Sequence, residues 1–281
     1  MYIGDLIDSL ACDACQGSVV WRLSSLSTMV NVLSTLRVQD KVDTIKTTAT
    51  SQELNYRDVF GSRATIQAIQ LLNNKGHLSK IVSLIGPSAK EINLFRVANT
   101  SDELQQNESI FTTVISFCIQ VAACVEGVES LFACDIISRI LSLSYFLNPP
   151  PSVEEVTSFG TDALLAQKEA IKTLYGRLLP VLRLLRVAAI TLSESKVIVA
   201  AIVDFFRRNH LIINEILLLK HFNSLEGMSV TEAVTGLLIF VLLIHESFLS
   251  DPALHRFLDT SMKNIGFLIK NLGIIKNYLF I

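Results

Sequence analysis

The sequence is poor in charge, glycine and proline. Charged residues make up 18% of the 281-residue chain and hydrophobic residues 50%, whereas charged residues form about a quarter of an average soluble protein. This balance excludes intrinsic disorder, which requires low hydrophobicity and high net charge. With only 12 glycines and 6 prolines, collagen-like and low-complexity classes are excluded as well. The net charge of −2 creates no field that would attract nucleic acid, so no direct nucleic-acid partner is expected.

Long hydrophobic runs are also missing. A membrane-spanning helix needs about 18 or more consecutive apolar residues, whereas the best run covers only 233–244. Lysine or arginine interrupts the other apolar stretches, 178–192 and 265–281. We therefore expect no transmembrane segment. Acidic Asp5 and Asp8 stand where a secretory signal would carry basic residues, so no such signal is expected either.

Cysteines are few and odd in number, which is typical of a reducing compartment with free thiols. The five are Cys12, Cys15, Cys118, Cys124 and Cys134. Cys12 and Cys15 form a single CxxC pair, a pattern that elsewhere marks redox or zinc sites. Neither a second CxxC nor a histidine nearby in the sequence completes four ligands. We interpret the cysteines as structural thiols, with a redox or metal role for the pair as the alternative.

Signatures of catalysis are absent from the sequence. It contains no GxSxG elbow, no GxxxxGK[ST] phosphate loop and no GxGxxG after a strand. The histidines stand singly and are interpreted as caps or partly buried side chains; they are His77, His210, His221, His245 and His255. Glu154–Glu155 is a weak acid/base candidate, and Asp204 beside Arg207 and Arg208 is explained by helical ion pairing. We predict a non-enzymatic protein with no catalytic residue, cofactor or metal.

Arginines make the middle of the second half of the chain locally basic. The group consists of Arg177, Arg183, Arg186, Arg207 and Arg208. We interpret it as a solvated helix face, with a docking site for an acidic partner as the alternative. No exposed aromatic residues are expected between these arginines, which disfavours a nucleic-acid groove.

Apolar residues recur at helical spacing along nearly the whole chain, and strand-like alternation is almost absent. This pattern predicts an all-α fold, an irregular α-solenoid of stacked helical hairpins of HEAT or armadillo type. The predicted helices are 3–14, 18–37, 62–74, 77–85, 89–97, 104–124, 126–133, 135–146, 161–191, 194–208, 210–221, 229–248, 253–270 and 272–280.

Three consecutive prolines predict the division of the chain. They impose an extended backbone without donors, so a proline-rich linker is expected at 148–160. It separates an N-terminal helical solenoid part at 1–147 from a C-terminal one at 161–281.

Single glycines, one polar segment and one isolated proline predict where helices end or bend. Gly17, Gly76 and Gly86 stand where a helix needs a left-handed residue after its last turn. The polar segment 40–57 is predicted to be a loop with little regular structure. Pro180, inside a helical pattern, predicts a kink or a new helix start.

Five segments carry a resemblance to a known family. They are LACDACQG (10–17), QLLNNKGHLSKIVSLI (70–85), SFCIQVAACVEGVESLFACDIISRILSLSYF (116–146), LLPVLRLLRVAAITLSESKVIVAAIVDFFRRNHLIINEILL (178–218) and LEGMSVTEAVTGLLIFVL (225–242). In this order they resemble passages in the C-terminal solenoid of the large inner-ring scaffold nucleoporins, the 205-kDa nucleoporin of animals and the 192-kDa nucleoporin of fungi. The third segment departs from the family pattern twice. Val128 replaces alanine in an "EGA"-type turn, and Cys134–Asp135 replaces a small residue followed by glycine.

The resemblance implies a structural scaffold of the nuclear pore complex inner ring, located at the nuclear envelope and supporting nucleocytoplasmic transport. It implies two kinds of partner, the helical motifs of linker nucleoporins and neighbouring inner-ring scaffold subunits. Family members are many times longer, so the chain would correspond to a C-terminal portion. No short contact motif is present, so the resemblance assigns no partner-binding residue.

Other functional classes remain as alternatives. A soluble HEAT-type transport receptor or adaptor would bind a small GTPase or Phe-Gly repeats. An enzyme in an all-α fold would require a buried cluster of titratable residues. A peripheral membrane protein would insert the apolar segment 265–281, with Lys270 and Lys276 at the lipid headgroups.

Overall fold

The computed structural model describes residues 3–48, 63–85, 101–143, 146, 161–193, 195–217, 225–244 and 263. Within these residues, all regular secondary structure is helical and no strand occurs. The all-α class predicted from apolar periodicity is therefore confirmed. None of the helices in these ranges is both long enough and apolar enough to cross a membrane.

The helices divide between two compact units. The first unit comprises Met1–Ser144 and Val187–Leu192. Its helices are α1 (Ile3–Gln16), α2 (Val19–Thr48), α3 (Arg63–Asn74), α4 (His77–Val82), α5 (Ser101–Val121), α6 (Val125–Ala133) and α7 (Ile136–Leu141). The second unit comprises Tyr145–Arg186 and Ser193–Ile281. It contains most of α8 (Thr161–Thr191), together with α9 (Lys196–Arg208), α10 (His210–Leu217) and α11 (Leu225–Ile244). The predicted linker at 148–160 lies outside the described residues.

Helix bounds follow the apolar periodicity closely, except in the polar segment predicted to be a loop. Helix α2 continues to Thr48, so that prediction is wrong for 40–48, while 49–57 lies outside the described residues. The helix can continue because threonine in a helix costs only about 0.7 kcal/mol relative to alanine. The predicted helices 89–97 and 272–280 also lie outside the described residues, as does 253–270 except for Lys263, which is helical.

Glycines at helix ends behave in two different ways. Gly76 has a φ of 70° and is the only described glycine in the left-handed region, so the prediction is confirmed there and is wrong for Gly17. Gly17 instead meets a close approach, because an added Cβ would lie 2.5 Å from the carbonyl oxygen of Asp13. Gly86 lies outside the described residues.

Helix α8 runs through Pro180 without interruption, so the predicted new helix start is wrong. Proline removes one hydrogen bond and crowds the carbonyl four residues earlier, which belongs to Gly176. Crowding by side chains is absent there, since a Cβ added to Gly176 would meet no atom within 4 Å. Buried Leu178 and Val181 on either side of the proline hold this stretch of helix in the core.

The first unit has a continuous apolar core. Helix α1 packs against α2, α3 and α4, while α2 also packs against α5, and α6 contacts α3, α4, α5 and α7. Phe117 of α5 is fully buried, as are Leu26 and Leu33 of α2. Burying each such side chain stabilises the fold by about 1.5–3 kcal/mol. Arg37 of α2 also donates hydrogen bonds to the side-chain and backbone oxygens of Gln120 on α5.

The second unit is organised around phenylalanines of α9. The rings of Phe146 and Phe205 meet edge to face with their centroids 5.7 Å apart, and Phe206 lies 6.1 Å from Phe205. Edge-to-face pairs of this kind add about 0.5–1.5 kcal/mol to the area they bury. Helix α9 packs against α10, and α10 packs against α11.

Candidate functional site

One face of α1 presents the polar and sulfur-bearing side chains of the candidate site. Asp8, Cys12 and Cys15 follow one another at intervals of four and three positions. This spacing places them one above another on a helix. The same helix buries Ile7, Ala11 and Ala14 in the core. Asp8, Cys12 and Cys15 are thereby held at the edge of the packed region, where they are half-buried rather than fully exposed.

A glycine turn brings a second element onto this face. Helix α3 ends at Asn74, and the left-handed Gly76 reverses the chain so that α4 starts at His77. The amide of Gly76 donates to the carbonyl of Asn73 at 2.9 Å, which closes the turn. Leu78 and Ile81 of α4 are fully buried, so the hydrophobic effect fixes α4 and, with it, the position of His77.

Asp8 is the centre of the polar contacts. Its Oδ2 lies 2.7 Å from Nζ of Lys75, and its Oδ1 lies 3.1 Å from Nε2 of His77. The same Nε2 lies 3.9 Å from Sγ of Cys12, and the Cys15 thiol donates to the His77 carbonyl at 3.9 Å. We call these five residues, Asp8, Cys12, Cys15, Lys75 and His77, the α1–α4 cluster.

Electrostatics in the cluster follow from these contacts. Hydrogen bonds from Lys75 and then from His77 hold the pKa of Asp8 below its usual value. The hydrogen bond to Asp8 in turn raises the pKa of Lys75. Burial raises the pKa of Cys15, which therefore remains a thiol at neutral pH. At neutral pH the cluster thus contains a firmly ionised carboxylate beside an ammonium group.

The α1–α4 cluster brings together residues that the sequence separates. Asp8 Oδ1, Cys12 Sγ and His77 Nε2 all lie within 4.8 Å of one another. The CxxC pair supplies one member of this group, but its histidine lies 65 residues further along the chain. No local spacing links those positions. Sequence-adjacent ligands therefore do not reveal the cluster, and the sequence signals near it are the CxxC pair and the glycine turn before His77.

Two of the other three cysteines are buried, as core packing predicts, and the third is half-buried. Cys118 and Cys124 are buried, whereas Cys134 is half-buried. Burial raises the pKa of all three thiols. These positions fit the interpretation of the three as packing residues.

The remaining candidates from the sequence are scattered. His210 is exposed, and its Nδ1 hydrogen-bonds to the carbonyl of Arg207 at 3.0 Å. Arg208 pairs with Asp204 at 2.8 Å, so the predicted helical ion pair is confirmed. Of the basic group, Arg177 is buried, which contradicts a uniformly solvated face, while the other four arginines are exposed. Candidates outside the described residues are Glu154, Glu155, His221, His245 and His255.

Comparisons with known proteins add no relative. No protein-family model matches the chain, and no curated protein matches it.

Proposed function

We propose that this chain is a non-enzymatic structural scaffold of the nuclear pore complex inner ring. It acts at the nuclear envelope, where it supports nucleocytoplasmic transport by binding other nucleoporins. Its partners are helical motifs of linker nucleoporins and neighbouring inner-ring scaffold subunits. The proposal rests on the resemblance of five ordered segments, together with the way in which the helices of the first unit pack.

The packing order of these helices is the observation that carries the proposal. One row of contacts runs from α1 to α3 and α4, and from these two to α6. A second row consists of α2 and α5, and α1 packs against α2 to join the rows. A solenoid is built in this manner, since each helical hairpin contacts mainly its neighbours. We infer that the chain forms an irregular α-solenoid, the architecture that the resemblance implies.

Special backbone positions inside the resembling segments support the same proposal. The Asn/Gly turn of segment 70–85 contains the left-handed Gly76. In segment 116–146, an added Cβ on Gly127 would lie 1.9 Å from the carbonyl oxygen of Val121. Asp135, which replaces the family's glycine, has a φ of 62° and is the one described non-glycine residue in the left-handed region. Glycine suits all three positions on steric grounds, as the family pattern has it.

A scaffold of this kind binds through grooves between helices. Stacked helices leave long concave surfaces, and an amphipathic partner helix can lay its apolar face in such a groove. Anchors at i, i+3, i+4 and i+7 of the partner would then contact the scaffold. We therefore expect the partners to contribute short helices rather than extended peptides.

The experiment is affinity capture of the tagged full chain from nuclear-envelope extract, read by mass spectrometry. We expect inner-ring and linker nucleoporins to be enriched over a chain that carries the same helices in scrambled order. Two point variants sharpen the result. Gly127→Ala disturbs the junction of α5 and α6 and should reduce capture, whereas Gly4→Ala meets only an ordinary 3.8 Å contact and should not. Recovery of soluble import factors without nucleoporins would instead support a transport adaptor.

A further inference from the structure

We propose that Asp8, Cys12 and His77 form a Zn²⁺ site that joins α1 to the start of α4. The donor atoms are Oδ1 of Asp8, Sγ of Cys12 and Nε2 of His77, which lie within 4.8 Å of one another. The proposal does not rest on the scaffold function, because it depends only on these side chains.

Donor separations in the cluster are close to those that zinc requires. With Zn–N and Zn–O near 2.0–2.2 Å and Zn–S near 2.3 Å, tetrahedral donors lie roughly 3.3–3.7 Å apart. The observed separations from His77 Nε2 are 3.1 Å to Asp8 and 3.9 Å to Cys12. Oδ1 of Asp8 and Sγ of Cys12 lie within 4.8 Å of each other, so side-chain movements of up to about 1 Å complete the site.

The backbone already holds the ligands in place. Asp8 and Cys12 are four residues apart on α1, the spacing at which metalloprotease helices present two zinc ligands on one face. His77 enters from α4, whose buried Leu78 and Ile81 fix its position. Two elements with independent anchors in the core thus converge on one point.

The chemistry of the donors selects zinc among common divalent ions. A thiolate and an imidazole suit Zn²⁺, whereas Mg²⁺ and Ca²⁺ require oxygen ligands. One carboxylate and one thiolate balance the two positive charges of the ion, and the ammonium group of Lys75 adds one positive charge beside them. On binding, the Cys12 thiol releases its proton to solvent. His77 coordinates as the neutral ring, with its proton on Nδ1, and no oxidation or reduction is involved.

The burial of His77 restricts its described polar contacts to the cluster. Its side chain is only 10% exposed, and Nδ1 has no hydrogen-bond partner among the described residues. The ring therefore makes its described polar contacts only through Nε2, which faces Asp8 and Cys12. The Nε2–H group donates to the ionised carboxylate of Asp8, so coordination of the metal by Nε2 moves this proton to Nδ1.

Lys75 opposes the ion and so provides a sharp test. Its ammonium group lies 2.7 Å from Oδ2 of Asp8, the oxygen that is not used in the site. A positive charge at this distance repels a divalent cation and lowers its affinity. Removing that charge should therefore strengthen zinc binding. If Asp8, Lys75 and His77 formed only a structural cluster, removing the charge of Lys75 would break its ion pair with Asp8 and would not strengthen zinc binding.

The test uses the metal-free, reduced full chain, titrated with Co²⁺ and then with Zn²⁺ in competition with a chromophoric chelator. We expect one ion per chain, a thiolate-to-cobalt charge-transfer band and its loss when Zn²⁺ displaces the cobalt. Mg²⁺ and Ca²⁺ should leave the cobalt spectrum unchanged. Zinc should also raise the Tm, since it binds the folded chain preferentially.

Variants assign the ligands. Cys12→Ser should abolish the charge-transfer band, and both Asp8→Ala and His77→Gln should weaken zinc binding by more than the roughly 10–100-fold that loss of an outer-shell partner costs. Cys15→Ser is the matched control: its half-buried thiol lies on the same helix face but outside the donor set, so band and stoichiometry should remain. Cys134→Ser, at a half-buried thiol in the turn between α6 and α7, should behave in the same way.

Lys75→Gln keeps the proposal testable even if a ligand variant fails to fold. Lys75 is half-exposed, so the variant should fold, and it should bind zinc roughly fivefold to tenfold more tightly as one repelling charge is removed. Three results would overturn the proposal. They are the absence of stoichiometric zinc binding, equal loss of the cobalt band in Cys15→Ser and Cys12→Ser, and weaker binding by Lys75→Gln.

Discussion

Gly127 offers the most direct test of the packing in the first unit. It lies at the start of α6, immediately after the junction with α5, and it is buried. A Cβ at this position would lie 1.9 Å from the carbonyl oxygen of Val121 and 3.1 Å from Sγ of Cys124. Because an ordinary contact begins near 3.4 Å, Gly127→Ala must push α6 and the end of α5 apart by about 1.5 Å.

The cost of this substitution can be worked from two opposing effects. Overpacking in a well-packed core costs about 1–3 kcal/mol, and backbone atoms that cannot rotate away place Gly127→Ala near the upper limit. Replacing glycine also stiffens the unfolded chain, which returns about 0.4–1 kcal/mol. The net expectation is a loss of about 2 kcal/mol in the free energy of unfolding, or roughly 4–8 °C in Tm.

The assay is urea unfolding followed by far-UV circular dichroism, with hydrogen exchange of the peptide that spans α6 as a local readout. Gly4→Ala is the control in the same unit, and Gly176→Ala, with no atom within 4 Å of its Cβ, is the control in α8. Both controls should be neutral or stabilising by up to about 1 kcal/mol, since alanine favours helix more than glycine does. If Gly127→Ala were as stable as these controls, the close approach of α5 and α6 would be refuted.

Three further predictions follow from other contacts of the first unit. Asp135→Gly should raise the free energy of unfolding by about 0.5–1 kcal/mol, because glycine adopts the left-handed φ of 62° without strain. The exposed hydrogen bond from Ser138 that the substitution removes is worth less than this relief of strain. A fall in Tm would contradict the prediction. Arg37→Ala should lower the free energy of unfolding by about 2–3 kcal/mol in urea titrations, since it leaves oxygens of Gln120 unpaired. Arg37→Lys should restore less than half of that loss. Arg183→Ala, at an exposed arginine, is the control and should change the free energy of unfolding by no more than about 0.5 kcal/mol. Brief alkylation, read by peptide mass spectrometry, should modify Cys118 and Cys124 more slowly than the half-buried cysteines. Burial hides the sulfurs of these two residues and raises the pKa of both thiols. Denaturant should remove the difference in rate, and equal rates in the native chain would contradict the burial.

Local features of the fold were predictable because they are encoded within a few residues. Helix α3 follows the apolar spacing of Ile69 and Leu72, and its end follows from Gly76, since glycine adopts a left-handed φ without strain. The extension of α2 beyond residue 37 was not predicted, because threonine and serine suggested a loop although their helix penalty is small. Local preference thus decides where a helix starts more reliably than where it ends.

Positions decided by tertiary contact were not predictable. Asp135 is left-handed in the short connection between α6 and α7. Aspartate adopts this conformation more often than most residues but does so at few positions, so residue type alone does not predict it. Arg177 looks like part of a basic face from its neighbours in sequence, yet the packing of α8 buries it. Both outcomes depend on which helices meet, and sequence spacing alone does not determine that.

The candidate site is the clearest case of this limit. Two residues separate Cys12 from Cys15 in the CxxC pair, but the potential metal ligands grouped with Cys12 Sγ within 4.8 Å are Asp8 Oδ1 and His77 Nε2. Asp8 lies one helical turn away in the direction opposite to Cys15, and only the packing of α4 on α1 brings His77 to the same place. The local CxxC pattern therefore indicates helix α1 but not the carboxylate and the imidazole that the fold brings to Cys12.

The α1–α4 cluster also has a mechanical consequence for the proposed scaffold. In stacked helical arrays, the shape of the whole depends on small rotations between neighbouring layers. Asp8 joins α1 to both Lys75 and His77, so one carboxylate restrains the angle between α1 and α4. Zinc at Oδ1 would replace a single hydrogen bond with a three-ligand link, while Lys75 stays on Oδ2 and limits how tightly the ion is held. The occupancy of the site would thereby set the stiffness of this junction, and the stiffening should appear as slower hydrogen exchange in α1 and α4 when Zn²⁺ is added.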